Sequence, residues 1–207
     1  NVPCARVEHP AYAVDDARLP SRRAARQHLA LDADGALLLF FGFVRPYKGL
    51  ELLLEALAEV RRSQPCRLLV AGECWGGRAR WEARLRDLGL EDSVHFHDRY
   101  IPEREVATFF AACDAVVLPY RSATGSGVAK LAMSHGRPVI ATRVGSLAAT
   151  IEDGVNGYAV TAGNVPALAG AIHQVLAGDR TAAMGQAAAA TAREHGWTPV
   201  LAALETL

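Results

Sequence analysis

Short apolar runs of strand length alternate with stretches of helical period along most of the chain. Residues 36–44 (ALLLFFGFV) form a continuous apolar run, and over 49–62 the residues Leu50, Leu53, Leu54, Ala56, Leu57 and Val60 recur at helical spacing. The pattern repeats: a strand over 67–71 (RLLVA), a helix over 78–90, a short strand over 93–97, then a helix over 102–113. That helix is opened by Pro102, with Glu103 and Glu105 in its first turn, where the helix dipole favours acids. Strands over 114–119 (DAVVLP) and 138–142 (PVIAT) flank a helix at about 126–135, and 157–160 is a last short strand. Two or three Ala-rich helices fill 165–207. Strands alternating with helices predict right-handed crossovers and a parallel sheet. Apolar strands without clean alternation predict burial on both faces. The expected fold is therefore α/β, a Rossmann-like doubly wound parallel sheet. Such sheets bind ligands beyond the carboxyl ends of their strands.

Composition narrows the function. Lys+Arg and Asp+Glu each number 22, so the formal net charge is +0. A chain that binds nucleic acid through a basic excess is excluded. No apolar run approaches the ~18 residues of a membrane span. Four cysteines (Cys4, Cys66, Cys74, Cys113) lack CxxC spacing, so reduced thiols are expected rather than a disulfide or zinc framework. A length of 207 residues fits one domain. Residues 1–20 show no period and carry Pro10 and Pro20, which marks a linker or lead-in, with the domain over 21–207. The chain opens on Asn1 rather than Met, which suggests a segment of a longer protein.

Two loops carry the chemistry. The first, 42–49, holds Gly42, Arg45, Lys48 and Gly49. Two cations three residues apart before a helix N-terminus suit a diphosphate, Arg as a fork of donors and Lys as a point charge. A solvated turn is the plain alternative. The second loop, 120–127, is rich in small and hydroxyl residues: Ser122, Thr124, Gly125, Ser126 and Gly127. Its N–H groups suit phosphate oxygens, and an N-capped helix start is the plain alternative. Lys130, one turn on, reads as surface. Glu73 and Trp75 follow the second strand and either line a cleft or sit on a surface loop. Tyr100 and Ile101 follow the third strand, where Tyr100 either packs near a nucleobase or, as is more common for an aromatic at a strand end, joins the core. His95 and His97 share a strand face without a third ligand, which is a structural pattern. His135 stands at a helix end before Gly136. No catalytic triad and no acid/base carboxylate pair stands out.

In order, FFGFVRPYKGLELLLEAL, RLLVAGE, DRYIPEREV, CDAVVLPYRSATGSGVAKLAMSHGRPVIATRVGS and EDGVNGYAV resemble the C-terminal, donor-binding domain of family-four (group 1) retaining glycosyltransferases of the GT-B fold. The resemblance is close over 36–160, and His195, Gly196 and Trp197 match the family's ending. It implies a partner, an N-terminal Rossmann-like domain absent here that supplies most acceptor contacts. It implies that Lys48 contacts the donor diphosphate, that the amides at Gly125 and Gly127 face sugar and phosphate, and that the 98–101 loop lies near the base. Gly42 would allow close approach to the ligand. The substrate implied is a nucleoside-diphosphate sugar, with no cofactor and no metal, and no DxD motif is present. Location is expected to be cytoplasmic, or membrane-peripheral for the full-length enzyme.

Three departures bear on donor identity. The family's basic residue after the glycine is Phe43 here, with Arg45 two places on. Its two glutamates fall on Ala123 and Leu131. Its second glycine and later glutamate after Gly145 become Ser146 and Ala149. The resemblance leads to a retaining hexosyltransferase whose isolated donor half transfers nothing. A sugar-nucleotide epimerase of the same fold would need cleft carboxylates, which the sequence does not offer. A non-catalytic nucleotide-sugar-binding module gains weight from Ala123 and Leu131. A plain dinucleotide domain lacks its GxGxxG.

Overall fold

A computed structural model describes residues 10–14, 19–197 and 201. Its sheet holds six strands: β1 (Ala36–Phe41), β2 (Cys66–Ala71), β3 (Val94–His97), β4 (Ala115–Leu118), β5 (Val139–Thr142) and β6 (Gly157–Val160). All neighbours pair parallel in the order β3-β2-β1-β4-β5-β6. The order reverses between β1 and β4, and that is the switch point where such a sheet opens a crevice. The register is set by apolar partners such as Leu38↔Leu68 and Leu38↔Ala115.

Both faces are covered, as the unbroken apolar strands demand. Leu38, Phe40, Leu68, Val70 and Val117 point to one core. That core is closed by α2 (Leu50–Val60), α3 (Ala79–Leu88) and α6 (Val165–Leu176). Leu37, Leu39, Leu69, Val116 and Leu118 point to the other. There α1 (Arg22–His28), α4 (Glu103–Ala112), α5 (Gly127–Ser134) and α7 (Arg180–Glu194) pack. The expected elements that lie within the described residues form, most trimmed by a residue or two at an end. The largest trim is β1, which ends at Phe41 rather than 44, because Gly42 turns to φ +90° and leaves the strand. Val44 then rejoins Cys74 in an isolated parallel bridge.

The helix α1 is not among the elements expected from the sequence. Ser21 caps it by accepting from the Ala24 N–H. It is held by Arg26, fully buried, whose guanidinium donates to the carbonyls of Ala112, Ala33 and Gly35 and to Asp114. Asp114 also accepts from the Leu37 N–H at 2.8 Å. Burial pulls the Arg26 guanidinium below its ordinary value, and Asp114 opposes that shift. The lead-in residues 10–14 and 19–20 have no regular structure. The Ala11 N–H donates to the His195 carbonyl. The expected closing helix falls almost wholly outside the described residues. No helix among the described residues is long and apolar enough to cross a membrane.

Candidate functional site

The loops after β1 and β4 meet at the switch point. Residues 46–48 form one 3-10 turn, with Pro46 at its start and the Lys48 N–H donating to the Arg45 carbonyl. The Arg121 N–H donates to the Tyr47 carbonyl at 2.7 Å, which ties the two loops together. Arg121 also pairs with Glu51 on α2. The rings of Tyr47 and Tyr120 meet edge to face at 5.9 Å. Between the loops lies a cavity of about 410 Å³. Its lining joins Tyr47, Lys48 and Tyr120 to the run Ser122, Ala123, Thr124, Gly125, Ser126, Gly127 and Val128, with no carboxylate in it.

Lys48 is the charged group of that lining. It is 8% exposed, and its Nζ stands 3.5 Å from the Phe41 carbonyl and 5.6 Å above the Tyr120 ring. Among the described residues no carboxylate pairs with it. Burial, helped by the nearby Arg45 charge, brings its pKa down to about 8. Gly42 creates the room: a Cβ there would lie 2.8 Å from Nζ. The sequence reading gave Gly42 a role in ligand approach, whereas its backbone makes space first for the ammonium. Burial pushes the Tyr120 phenol up to about 12, opposed in part by Ser126.

The second loop is braced from behind. Ser146 donates to the Thr124 carbonyl through its hydroxyl at 2.6 Å and its N–H at 3.1 Å. Gly145, at φ +50°, lets this brace approach, since a Cβ there would collide with the Ala123 carbonyl oxygen. Ser126 caps α5 by accepting from the Ala129 N–H. Helix geometry leaves the first N–H groups of α5, at Gly127 and Val128, without intrahelical acceptors on the cavity's edge. Ala123 and Leu131, where the family pattern has glutamates, are half-buried and pack on the apolar core.

Of the candidate residues, Lys48, Ser122, Thr124, Gly125, Ser126 and Gly127 come together around the cavity. Gly42 abuts Lys48. Arg45, Glu73, Tyr100 and Ile101 stand outside the lining. Arg45 lies in a separate group, with its guanidinium carbon 3.9 Å from the Trp75 ring centre and 5.5 Å from that of Phe43. Glu73 is exposed. Ile101 is buried in the core shared with α4, so its side chain is unavailable to a ligand. Tyr100 is 66% exposed, which rules out the core alternative for it. Lys130, read as surface, is half-buried.

The remaining candidates are structural. His97 meets Phe109 edge to face, and burial lowers both His95 and His97. His135 stacks on Phe110 with ring centres 5.0 Å apart. Burial pushes the free thiols of Cys66, Cys74 and Cys113 up to about 12, which suppresses thiolate chemistry at neutral pH. Among the described residues no three His, Cys, Asp or Glu are grouped to hold a metal.

A doubly wound sheet with a cationic, carboxylate-free cavity at its switch point defines a class of domain suited to phosphate-bearing ligands. Residues 35–178 match the family described as glycosyl transferases group 1, and the chain belongs to that family. The D-inositol 3-phosphate glycosyltransferase of Frankia alni is 40% identical over 152 residues, 69% of this chain and 37% of that protein. Sucrose-phosphate synthase from Thermosynechococcus elongatus superimposes with a TM-score of 0.76 at 30% identity, over 88% of this chain and 46% of that one. Anabaena HepE in complex with UDP-glucose does so with a TM-score of 0.75 at 25% identity, over 94% of this chain and 53% of that one. The fold is thus the Rossmann-like α/β unit found in GT-B glycosyltransferases. The chain spans less than half the length of the curated relatives it matches.

Proposed function

We propose that this chain is the donor-binding half of a retaining glycosyltransferase that moves a hexosyl group from a nucleoside-diphosphate sugar to an acceptor. One observation carries the reading: Lys48, without a carboxylate partner, faces a Gly- and hydroxyl-rich loop and a helix start across one cavity. A buried cation lacking a protein anion suits an anion brought by the ligand. The UDP-glucose held by HepE supports a uridine diphosphate donor here.

Transfer breaks the anomeric C–O bond, and the electron pair leaves with the diphosphate. Lys48 and the amides around Gly125 and Gly127 stabilise that charge as it grows, with Arg45 adding a second cation. With Ala123 and Leu131 apolar, the sugar hydroxyls are left to Ser122, Thr124 and Ser126. Tyr100 and the backbone at Ile101 lie toward the base, and Glu73 stands on the neighbouring loop. The acceptor and most of its contacts belong to an N-terminal domain. The same apolar pair, Ala123 and Leu131, favours a second reading, a nucleotide-sugar-binding module without catalysis.

The test is calorimetry with UDP. Loss of one charge-assisted contact costs about 1.5–3 kcal/mol, so Lys48→Ala is expected to weaken binding roughly 10- to 100-fold. Unchanged affinity removes the site assignment.

A further inference from the structure

Arg45 is among the arginines that meet no carboxylate among the described residues. Arg22, Arg26, Arg67, Arg78, Arg84, Arg99, Arg104, Arg121 and Arg143 each meet a carboxylate. Arg45 meets two aromatic rings instead, the exposed Trp75 and Phe43, themselves 6.0 Å apart and inclined by 65°. Its Nε is buried with no hydrogen-bond partner. It stands close enough to Lys48 to lower that group's pKa. Arg45 is the residue that opens the 3-10 turn holding Lys48, and among the described residues neither cation forms an ion pair.

The backbone explains how Trp75 reaches Arg45. The Val44 N–H donates to the Glu73 carbonyl, and the Trp75 N–H donates to the Val44 carbonyl. The bridge Val44↔Cys74 buries those two side chains and turns their neighbours, Phe43, Arg45 and Trp75, to the other side. The Cys74 N–H is in turn held by Asp98 at 2.7 Å. Trp75 therefore stands on a braced loop, although it is 50% exposed and contributes little to the core.

We infer that Trp75, with Phe43, is a positioning residue for Arg45. The two rings hold the guanidinium on the loop that carries Lys48, so that its nitrogens meet the donor diphosphate. This supplies the cation that the family pattern places at position 43. The inference rests on the donor-binding reading above. A guanidinium held against an indole gives up rotamer freedom in advance, so less is lost when it grips an anion.

The test is a double-mutant cycle on the 207-residue chain with UDP as probe, read by calorimetry. Arg45→Ala is expected to weaken binding roughly 10- to 30-fold. Trp75→Leu keeps apolar bulk without the ring face and is expected to weaken it roughly 5- to 20-fold. The double variant should bind no worse than Arg45→Ala alone, because the tryptophan acts through the arginine. Trp75→Phe restores a ring and should stay within about threefold of the parent. A Trp75→Leu chain that binds UDP like the parent, or losses that simply add, overturns the inference. Lys48→Ala separates the two readings. If it weakens binding while Trp75→Leu does not, the positioning role falls alone. If it leaves binding unchanged, the donor site itself falls.

Discussion

At the residue scale, Lys48 is the group proposed to meet the diphosphate, and its burial has a consequence for pH. The ordinary lysine value is 10.5, and burial brings Lys48 to about 8. The unfolded chain therefore holds a proton on this group between pH 8 and 10.5 that the folded chain has lost. Without ligand, the contribution of Lys48 to stability improves as pH rises through that window, and below it the cost of burying the charge is present in full. A diphosphate reverses the preference, since it binds the charged form and lifts the pKa. UDP affinity is thus expected to hold steady near neutrality and to fall above pH 8 by up to about tenfold per unit. Between pH 8 and 9.5 binding should take up a proton, visible as a calorimetric enthalpy that changes with the ionisation heat of the buffer. Affinity flat to pH 10, with no buffer dependence, contradicts a charged Lys48 on the phosphate. The sequence singled out Lys48 by its place before a helix start. It held no sign that Gly42 makes room for the ammonium, because a chain crossing is a tertiary fact.

Among the elements, those read correctly carry their own signal. β1, β2, β4 and β5 are apolar on both faces, and α2 repeats leucine at helical spacing, so local pattern and final environment agree. The helix α1 reads RRAARQH, and its pattern hides a fully buried arginine. Polar residues at core positions are unreadable without their partners, and the partners Ala112 and Asp114 lie 86 and 88 residues away. The stack of Arg45 on Trp75 was hidden for the same reason, since it joins two loops through a bridge one residue long. Arg26 ties α1 to the amino ends of β1 and β4 through Asp114, so its removal leaves a carboxylate and buried carbonyls short of donors. Breaking such a pair costs about 3–5 kcal/mol. Arg26→Ala is expected to lower the midpoint of urea unfolding by a corresponding amount, with α1 exchanging its amide protons first. A shift of under about 1 kcal/mol is within the range of exposed ion pairs and contradicts a structural clasp.

For the whole molecule, the cavity at the switch point is built from one side only. Its lining comes from the loops after β1 and β4 and the first turn of α5, with Tyr12 of the lead-in standing near Gly127 at its edge. An open site stabilises a diphosphate but leaves a departing sugar exposed to water, and electrostatic stabilisation weakens as the local dielectric rises. Relatives of this chain carry more than half of their length outside the matched region. Domain closure is a common way to exclude water and complete such a site. Binding and turnover should therefore separate. The 207-residue chain is expected to bind UDP and UDP-glucose in a Lys48-dependent manner, yet release no UDP from UDP-glucose above the solution rate. A longer protein that joins it to a second Rossmann-like domain is expected to release UDP when an acceptor is present. A product anomer matching the α-configuration of the donor, read by proton NMR, would establish retention. UDP release or transfer by the isolated chain shows that the cavity is complete without a second domain. Binding without turnover in the longer protein, across the common uridine-linked donors, selects the non-catalytic module that Ala123 and Leu131 favour. The two measurements thus assign the missing carboxylates either to a different way of holding the sugar or to lost catalysis.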